Sequence, residues 1–158
     1  MNKLFLMVTM SVAITACSKS KSTSVTTGSQ SNKPLMMSFT DLKWSELPDR
    51  KKGMLFAVLA NDAETGAFTQ IRKVPPKTGK GPHAHSTELR VVVISGVIYV
   101  GPTLASARDF GPGSVIIMPP NWVHVSGCRA GSDCVFYQEG KGKFDFKPSI
   151  DRSSAEYH

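Results

Sequence analysis

Short apolar or alternating runs, each broken by Gly, Pro, Asn or Asp, fill the chain between about residues 35 and 148. No stretch of this span carries a convincing helical period. Many short runs separated by turn residues are typical of a β-sandwich or barrel. The sequence therefore predicts an all-β fold. Its predicted strands are residues 54–60, 67–74, 89–95, 97–100, 115–118, 122–126 and 135–138.

The composition is that of one ordinary globular domain. The chain has 158 residues, of which 41% are hydrophobic and 20% are charged. No apolar run reaches the ~20 residues of a membrane-spanning helix, which excludes an internal membrane channel or transporter. The net charge is +7, but basic and aromatic residues are not interleaved. Nucleic acid is therefore not an expected partner.

The first residues have the pattern of a secretory signal. Lys3 precedes an apolar core at residues 4–14, and small residues follow. The stretch Ile14-Thr15-Ala16-Cys17 resembles the lipobox of bacterial lipoproteins. This resemblance implies cleavage after Ala16 and acylation of Cys17 on its thiol and its new amine. The alternative is an ordinary signal peptide that happens to contain a cysteine.

The remaining boundaries follow from composition. Residues 1–16 are the predicted lipoprotein signal peptide, and residues 17–34 are the lipidated cysteine with a flexible Ser/Thr-rich tether. Residues 35–150 are the predicted folded domain, and the polar residues 151–158 are expected to fray. Ser rather than Asp follows Cys17. By resemblance, this favours the outer membrane of a Gram-negative cell, with the domain facing the periplasm.

Three histidines form the sharpest chemical signal. His83 and His85 are two residues apart, so a strand presents both to one face. His124 begins a distant predicted strand, and the three can meet only if the sheet curls. Three neutral imidazoles suit Zn, Cu, Fe or Ni and leave a coordination position open. The alternative is that these histidines are solvated or hydrogen-bonded within the core.

Two longer stretches resemble the cupin motifs. Residues 79–96, GKGPHAHSTELRVVVISG, resemble the first motif, and residues 113–124, GSVIIMPPNWVH, resemble the second. The resemblance implies a cupin-type antiparallel β-barrel or jelly roll with a metal in its mouth. Residues 40–150 also resemble an uncharacterised family of exported bacterial cupins, which implies no settled activity. Asn121 replaces the turn glycine of the second motif, a mild change because Asn tolerates left-handed backbone.

The usual cupin glutamate ligand is missing from its expected position. Leu89 and Arg90 stand there, and Glu88 lies one place early. Strict alternation puts Glu88 outside the barrel, whereas a bulge would bring it to the metal. Without a carboxylate, the site is expected to favour softer metals such as Zn or Cu and to attract an anionic ligand.

The two cysteines that remain beside Cys17 lie six positions apart. In an exported domain Cys128 and Cys134 are predicted to form a disulfide across a hairpin, with two buried thiols as the alternative. The same hairpin register would place Gln138 opposite His124, on the inner face. There Gln138 either contacts the metal or its bound water, or is hydrogen-bonded within the sheet. Val91 and Phe136 are also expected to face the cavity.

These features predict a lipid-anchored envelope protein that holds a divalent transition metal (Zn, Cu, Fe, Ni or Mn). The metal centre would bind a small polar or anionic molecule and support its oxygenation or isomerisation. The main alternative is a ligand-binding or sensing module without turnover, because no general acid or base is evident inside the cavity. A scaffold for protein contacts is a third interpretation. The cupin resemblance also implies a homodimer formed through sheet edges.

Overall fold

The computed structural model describes residues 34–46 and 52–149. The predicted signal peptide at residues 1–16, the lipidation site Cys17, nearly all of the tether and the tail at residues 151–158 lie outside the described residues. Two antiparallel sheets and a short 3-10 helix, Phe39–Asp41, make up the regular structure of the described part. Among these residues, no helix has the length and apolar character needed to cross a bilayer.

The larger sheet has six strands in the described part. Its first strands along the chain are β1 (Ser45–Glu46), β2 (Leu55–Asn61) and β3 (Phe68–Val74), and β5 (Leu89–Ser95), β8 (Val115–Met118) and β10 (Cys134–Gly140) complete it. The spatial order is β1-β2-β3-β10-β5-β8. Strand β10 therefore lies in the middle, paired with β3 on one side and with β5 on the other.

The smaller sheet faces the first and has five described strands. They are β4 (Thr78–Ala84), β6 (Ile98–Gly101), β7 (Arg108–Phe110), β9 (His124–Cys128) and β11 (Lys147–Pro148), in the spatial order β11-β4-β9-β6-β7. In the central pair, β4 and β9, His83 lies directly opposite His124. A register shift between Lys80 and His83 marks a β-bulge in β4.

Alternation of apolar and polar residues places the core between the sheets. Along β5, Leu89, Val91 and Val93 are buried, while Arg90 and Val92 are exposed. The same period of two runs through β3. The buried side chains of both sheets form one apolar cluster, which includes Val91, Val93, Ile98, Val100, Ile116 and Met118. This confirms the predicted all-β, antiparallel fold.

Each predicted run corresponds to a strand, but the sequence pattern misses strands β1, β7 and β11 and most of β4. Strand β4 has the sequence TGKGPHA, whose two glycines and one proline have low strand propensity. Its pairing with β9 and β11 makes it a strand nonetheless. Tertiary pairing thus overrides local propensity at the element that carries His83.

The predicted hairpin between β9 and β10 is wrong, because the two strands belong to different sheets. Cys128 and Cys134 are buried and form the predicted disulfide, which therefore joins the two sheets. Gln138 lies opposite Gln70 and Val91 in its own sheet rather than opposite His124. The turn between the cysteines carries the chain from one sheet to the other, which short-range spacing does not reveal.

We expect the disulfide to add about 2 kcal/mol to the free energy of unfolding, the value for closing a loop this short. Chemical unfolding with and without a thiol reductant measures it. Reductant should lower the wild-type midpoint and leave the double variant Cys128→Ala, Cys134→Ala unchanged. Cys17→Ser, which removes the third cysteine, should retain the wild-type sensitivity. A wild-type unfolding midpoint that is the same with and without reductant would contradict the disulfide.

Candidate metal centre

His83, His85 and His124 lie together at one end of the space between the sheets. All three side chains are buried, and one ring nitrogen from each lies within 4.8 Å of those of the other two. The ring centroids of His83 and His124 are 4.3 Å apart, and that of His85 is 5.1 and 5.5 Å from them. The predicted meeting of histidines from two remote stretches is confirmed in position.

Backbone hydrogen bonds determine which nitrogen of each ring is available. The Nδ1 atoms of His83, His85 and His124 lie 2.8, 2.6 and 3.0 Å from the carbonyl oxygens of Gly81, Asp145 and Trp122 respectively. A carbonyl oxygen only accepts, so each Nδ1 must carry the proton and donate it. Each Nε2 then keeps its lone pair, the state in which a histidine binds a metal.

Two of these carbonyls belong to irregular backbone that lies two residues before the histidine they bind. Gly81 lies in the bulge of β4, two residues before His83, and Trp122 lies two residues before His124. Asn121 has a φ of 59° and donates its backbone N–H to the carbonyl of His85 at 2.7 Å. The left-handed backbone of Asn121 agrees with the tolerance of asparagine for positive φ. Its hydrogen bond connects the turn before β9 to the end of β4.

Burial keeps the three imidazoles neutral. Loss of hydration lowers the pKa of His83 to about 3, against the opposing effect of its hydrogen bond to Gly81. The same burial lowers the pKa of His85 and of His124. An imidazolium cannot bind a cation, so a depressed pKa leaves the lone pairs available at neutral pH.

The segment Phe144-Asp145-Phe146, here called the strap, covers the histidines from one side. The ring of Phe146 stacks on His83 with centroids 4.5 Å apart, and Phe144 lies 5.3 Å from His85. The carbonyl of Asp145 accepts from His85, while its carboxylate accepts from the backbone N–H and the hydroxyl of Ser86. The strap thus orients His85 through a hydrogen bond and places aromatic rings against His83 and His85.

Glu88 lies outside the barrel, so its alternative placement as a ligand through a bulge is wrong. Its carboxylate pairs with Arg90 at 2.9 Å and with Lys141 at 3.1 Å, and these cations lower its pKa. Strict alternation, on which the outer position of Glu88 was predicted, does not apply here, because an irregular segment with a bend at residues 86–87 separates β4 from β5. No carboxylate joins the three histidines in the metal-ligating cluster found among the described residues.

A cavity of about 80 Å³ extends from the histidines between the two sheets. Val91, Phe136 and Gln138 line it as predicted. The side-chain oxygen of Gln138 accepts a hydrogen bond from Gln70 at 2.8 Å, which favours the alternative of a glutamine bonded within the sheet. Its amide group therefore borders the cavity with its oxygen already engaged.

Sequence reasoning missed two parts of this site. Arg72 lines the cavity and is buried, although in the sequence it is one of several charged residues on a strand. The strap lies within the residues 40–150 that resemble exported cupins, but nothing in its sequence predicts a role at the histidines. Alternation along β3 places Arg72 on the same face as Gln70 and Val74, and this signal could have revealed it.

Comparisons with known proteins agree with this architecture. Residues 32–142 match the family model described as the ChrR cupin-like domain. An RmlC-like cupin protein from Ralstonia eutropha is 16% identical, with 75% of each chain covered and a TM-score of 0.62. The polyketide cyclase RemF from Streptomyces resistomycificus is 20% identical over 79% of this chain and 96% of that one, with a TM-score of 0.63.

A chain in the complex of Rhodobacter sphaeroides SigE with the anti-sigma ChrR is also similar to this chain. The two are 20% identical, the match covers 65% of this chain and 51% of the other, and the TM-score is 0.53. Structural similarity at such identities shows the fold alone. The search of curated proteins finds no match. With more than two thirds of its length matched by the family model, this chain belongs to the ChrR cupin-like domains of the cupin superfamily.

Proposed function

We propose that this protein is a metal-dependent cupin that binds a small polar or anionic molecule at a centre formed by His83, His85 and His124. The observation that carries the proposal is the set of three Nδ1–H···O=C hydrogen bonds, which leave a lone pair on the Nε2 of each of three buried, clustered histidines. Three protein ligands leave an open position for a small molecule. The residues therefore fit a divalent transition metal.

The ligand set favours zinc or copper. Imidazoles suit these metals, whereas Mn²⁺ prefers carboxylate oxygens, and none of the described residues that line the cavity carries a carboxylate. When bound, such an ion would act as a Lewis acid that polarises an oxygen of the ligand. The protein's own residues hold the rings, place the aromatic side chains of the strap against them, and surround the ligand with apolar side chains.

Turnover and sensing remain two candidate functions of this centre. Oxygenation or isomerisation is the catalytic candidate, and the cyclase RemF shows that this fold is able to support an enzyme. Binding without turnover is supported by a different observation. The described cavity lining contains no Asp or Glu that could act as a general acid or base. The match to the family model of the ChrR cupin-like domain is compatible with this alternative, because the ChrR in the complex with SigE is an anti-sigma protein.

We also propose that the domain is attached to the bacterial envelope through a lipid on Cys17, with the outer membrane and the periplasmic side as its location. The lipobox-like sequence at residues 14–17 carries this proposal. The disulfide supports it, because disulfides persist in oxidising compartments such as the periplasm. The Ser/Thr-rich residues 18–33 would then separate the domain from the membrane.

A homodimer formed through sheet edges stays a prediction. Strand β8 lies at the edge of the larger sheet, and its Val115 and Ile117 are 62% and 59% exposed. An apolar edge strand of this kind is able to pair with another chain.

We expect the purified protein to carry about one metal ion per chain, the content that a single site predicts. Elemental analysis of wild type and His124→Ala tests this, and the variant should retain less than about a tenth of that content. His158→Ala, which changes the chain's fourth histidine, is the matched control and should bind like wild type. Absence of metal after reconstitution, or equal loading of His124→Ala, would refute the proposed centre.

Oxygen-uptake and isomerisation assays on the metal-loaded protein separate the two candidates. We expect turnover of a small polar or anionic substrate if the centre is catalytic, and none from His83→Ala. Saturable binding of such molecules by the loaded protein without any turnover would instead favour sensing.

Asp145→Ala should weaken metal binding about tenfold, the lower end of the effect of losing a residue that orients a ligand. The substitution removes the carboxylate that holds Ser86, and thereby loosens the carbonyl that orients His85. Competition with a chelator measures the affinity. Asp109→Ala removes a comparable exposed carboxylate, paired with Arg129, and should leave the affinity unchanged. An Asp145→Ala affinity equal to wild type would show that the strap does not orient His85.

Cys17→Ser should move the protein from the membrane fraction to the soluble envelope fraction and abolish incorporation of labelled palmitate. One acyl chain binds a bilayer only reversibly, so loss of all acylation should release the domain. Cys128→Ser retains the predicted acylation site and is the matched control. Membrane association of Cys17→Ser would contradict the lipid anchor.

A further inference from the structure

A buried arginine lies in the wall of the cavity. Arg72 is 4% exposed and occupies the inner face of β3 between Gln70 and Val74. Its guanidinium carbon lies 5.7 Å from the ring centroid of Phe144, whose ring centroid is in turn 5.3 Å from that of His85. One aromatic ring therefore separates this positive charge from the histidine cluster.

Among the described residues that line the cavity, the charged side chains are all positive. Arg72 and Lys80 both line it, and no Asp or Glu does. The carboxylate of Asp145, whose backbone carbonyl binds His85, is itself bonded to Ser86. An enclosed space with low-dielectric walls strengthens the field of such charges and attracts anions.

A second polar group in the same cavity points to an occupant. Thr78 is 3% exposed, and its hydroxyl has no hydrogen-bond partner in the described part of the chain. It lies opposite Cys128, four residues along β9 from His124, which is roughly 13 Å at the usual rise of a strand. A buried hydroxyl without a partner is costly, so a polar atom of a bound molecule or water is its natural partner.

The remaining wall is apolar and limits the kind of anion. It contains Met54, Val91, Ile98, Val100, Ile116 and Met118. Such a surface favours a ligand with an aliphatic body, because apolar contact area stabilises binding. It disfavours a small, strongly hydrated ion such as inorganic phosphate, whose dehydration the apolar wall would not offset.

We propose that the cavity binds a small aliphatic carboxylate whose anionic group pairs with the guanidinium of Arg72 and whose body extends toward the three histidines. The planar guanidinium offers two parallel N–H donors to a carboxylate, a geometry that an ammonium group lacks. The inference deepens the proposed function, on which it rests for the chemistry at the histidine end. It names the substrate class of that centre.

Calorimetric titration of the chelator-treated, metal-free protein with straight-chain carboxylates from acetate to hexanoate tests the proposal. Each carboxylate is compared with the neutral amide of the same length. We expect wild type to bind the carboxylate at least about tenfold more tightly than its amide, since hydrogen bonds to charged groups are the stronger ones. Because no metal is present, this result is independent of metal binding by the histidines.

Arg72→Met keeps the length of the side chain and removes its charge, and should abolish the preference for carboxylate over amide. Arg72→Lys keeps the charge and loses the paired donors, so it should retain the preference with weaker binding. If Arg72→Met does not fold, Arg72→Lys still tests whether carboxylate binding depends on the guanidinium. Lys73→Met is the matched control, because Lys73 is the next residue on β3 but pairs with Asp133 at the surface. This control should bind carboxylates like wild type.

Equal affinity of wild type for carboxylates and amides would overturn the proposal, as would a failure of every carboxylate in the series to bind. Unchanged carboxylate binding in a folded Arg72→Met or in Arg72→Lys would also overturn it, because the anion would then bind elsewhere. Carboxylate binding that depends on Arg72, in a protein that takes up no metal, would support this inference and refute the proposed metal centre.

Discussion

Three hydrogen bonds from histidine Nδ1 atoms to backbone carbonyls organise the candidate site. Each carbonyl belongs to an irregular segment: the bulge of β4, the turn before β9, and the strap. Because carbonyls accept only, they select one tautomer for all three rings and leave the Nε2 atoms for an ion. The site therefore depends on backbone geometry that the two sheets hold in place.

The cavity combines this neutral cluster with a positive wall. Burial depresses the pKa of His83, so the rings contribute lone pairs rather than charge. Arg72 remains charged at any physiological pH and supplies the positive field. The strap is close to both groups. The ring centroid of Phe144 is 5.3 Å from that of His85 and 5.7 Å from the guanidinium carbon of Arg72. An anionic ligand between them would contact groups from both sheets.

Local patterns predicted much of this arrangement. Alternation identified Val91 on the inner face of β5, and the spacing of His83 and His85 placed both rings on one side. The partners of each strand were less predictable, because pairing depends on residues far apart in the chain. The predicted hairpin of β9 and β10 was wrong for this reason, since the two strands belong to different sheets. The glycines and proline of β4 give no strand pattern, and its pairing with β9 and β11 makes it a strand.

The polar details of the site were the hardest to foresee. Backbone carbonyls orient all three histidines, and a carbonyl has no signature in the sequence. Arg72 is indistinguishable in composition from Arg90, which lies at the surface with Glu88 and Glu139. The phase of alternation separates them: Arg72 shares its face of β3 with the buried Gln70 and Val74, whereas Arg90 lies on the exposed face of β5.

Long-range ¹H–¹⁵N NMR of the histidine side chains reports which nitrogen of each ring carries the proton. In the metal-free protein, we expect the Nδ1–H tautomer for His83, His85 and His124. Addition of zinc should then shift the Nε2 resonances of these three rings together and leave His158 unchanged. Protonated Nε2 atoms in the metal-free state, or zinc-induced shifts confined to one ring or to His158, would contradict the account.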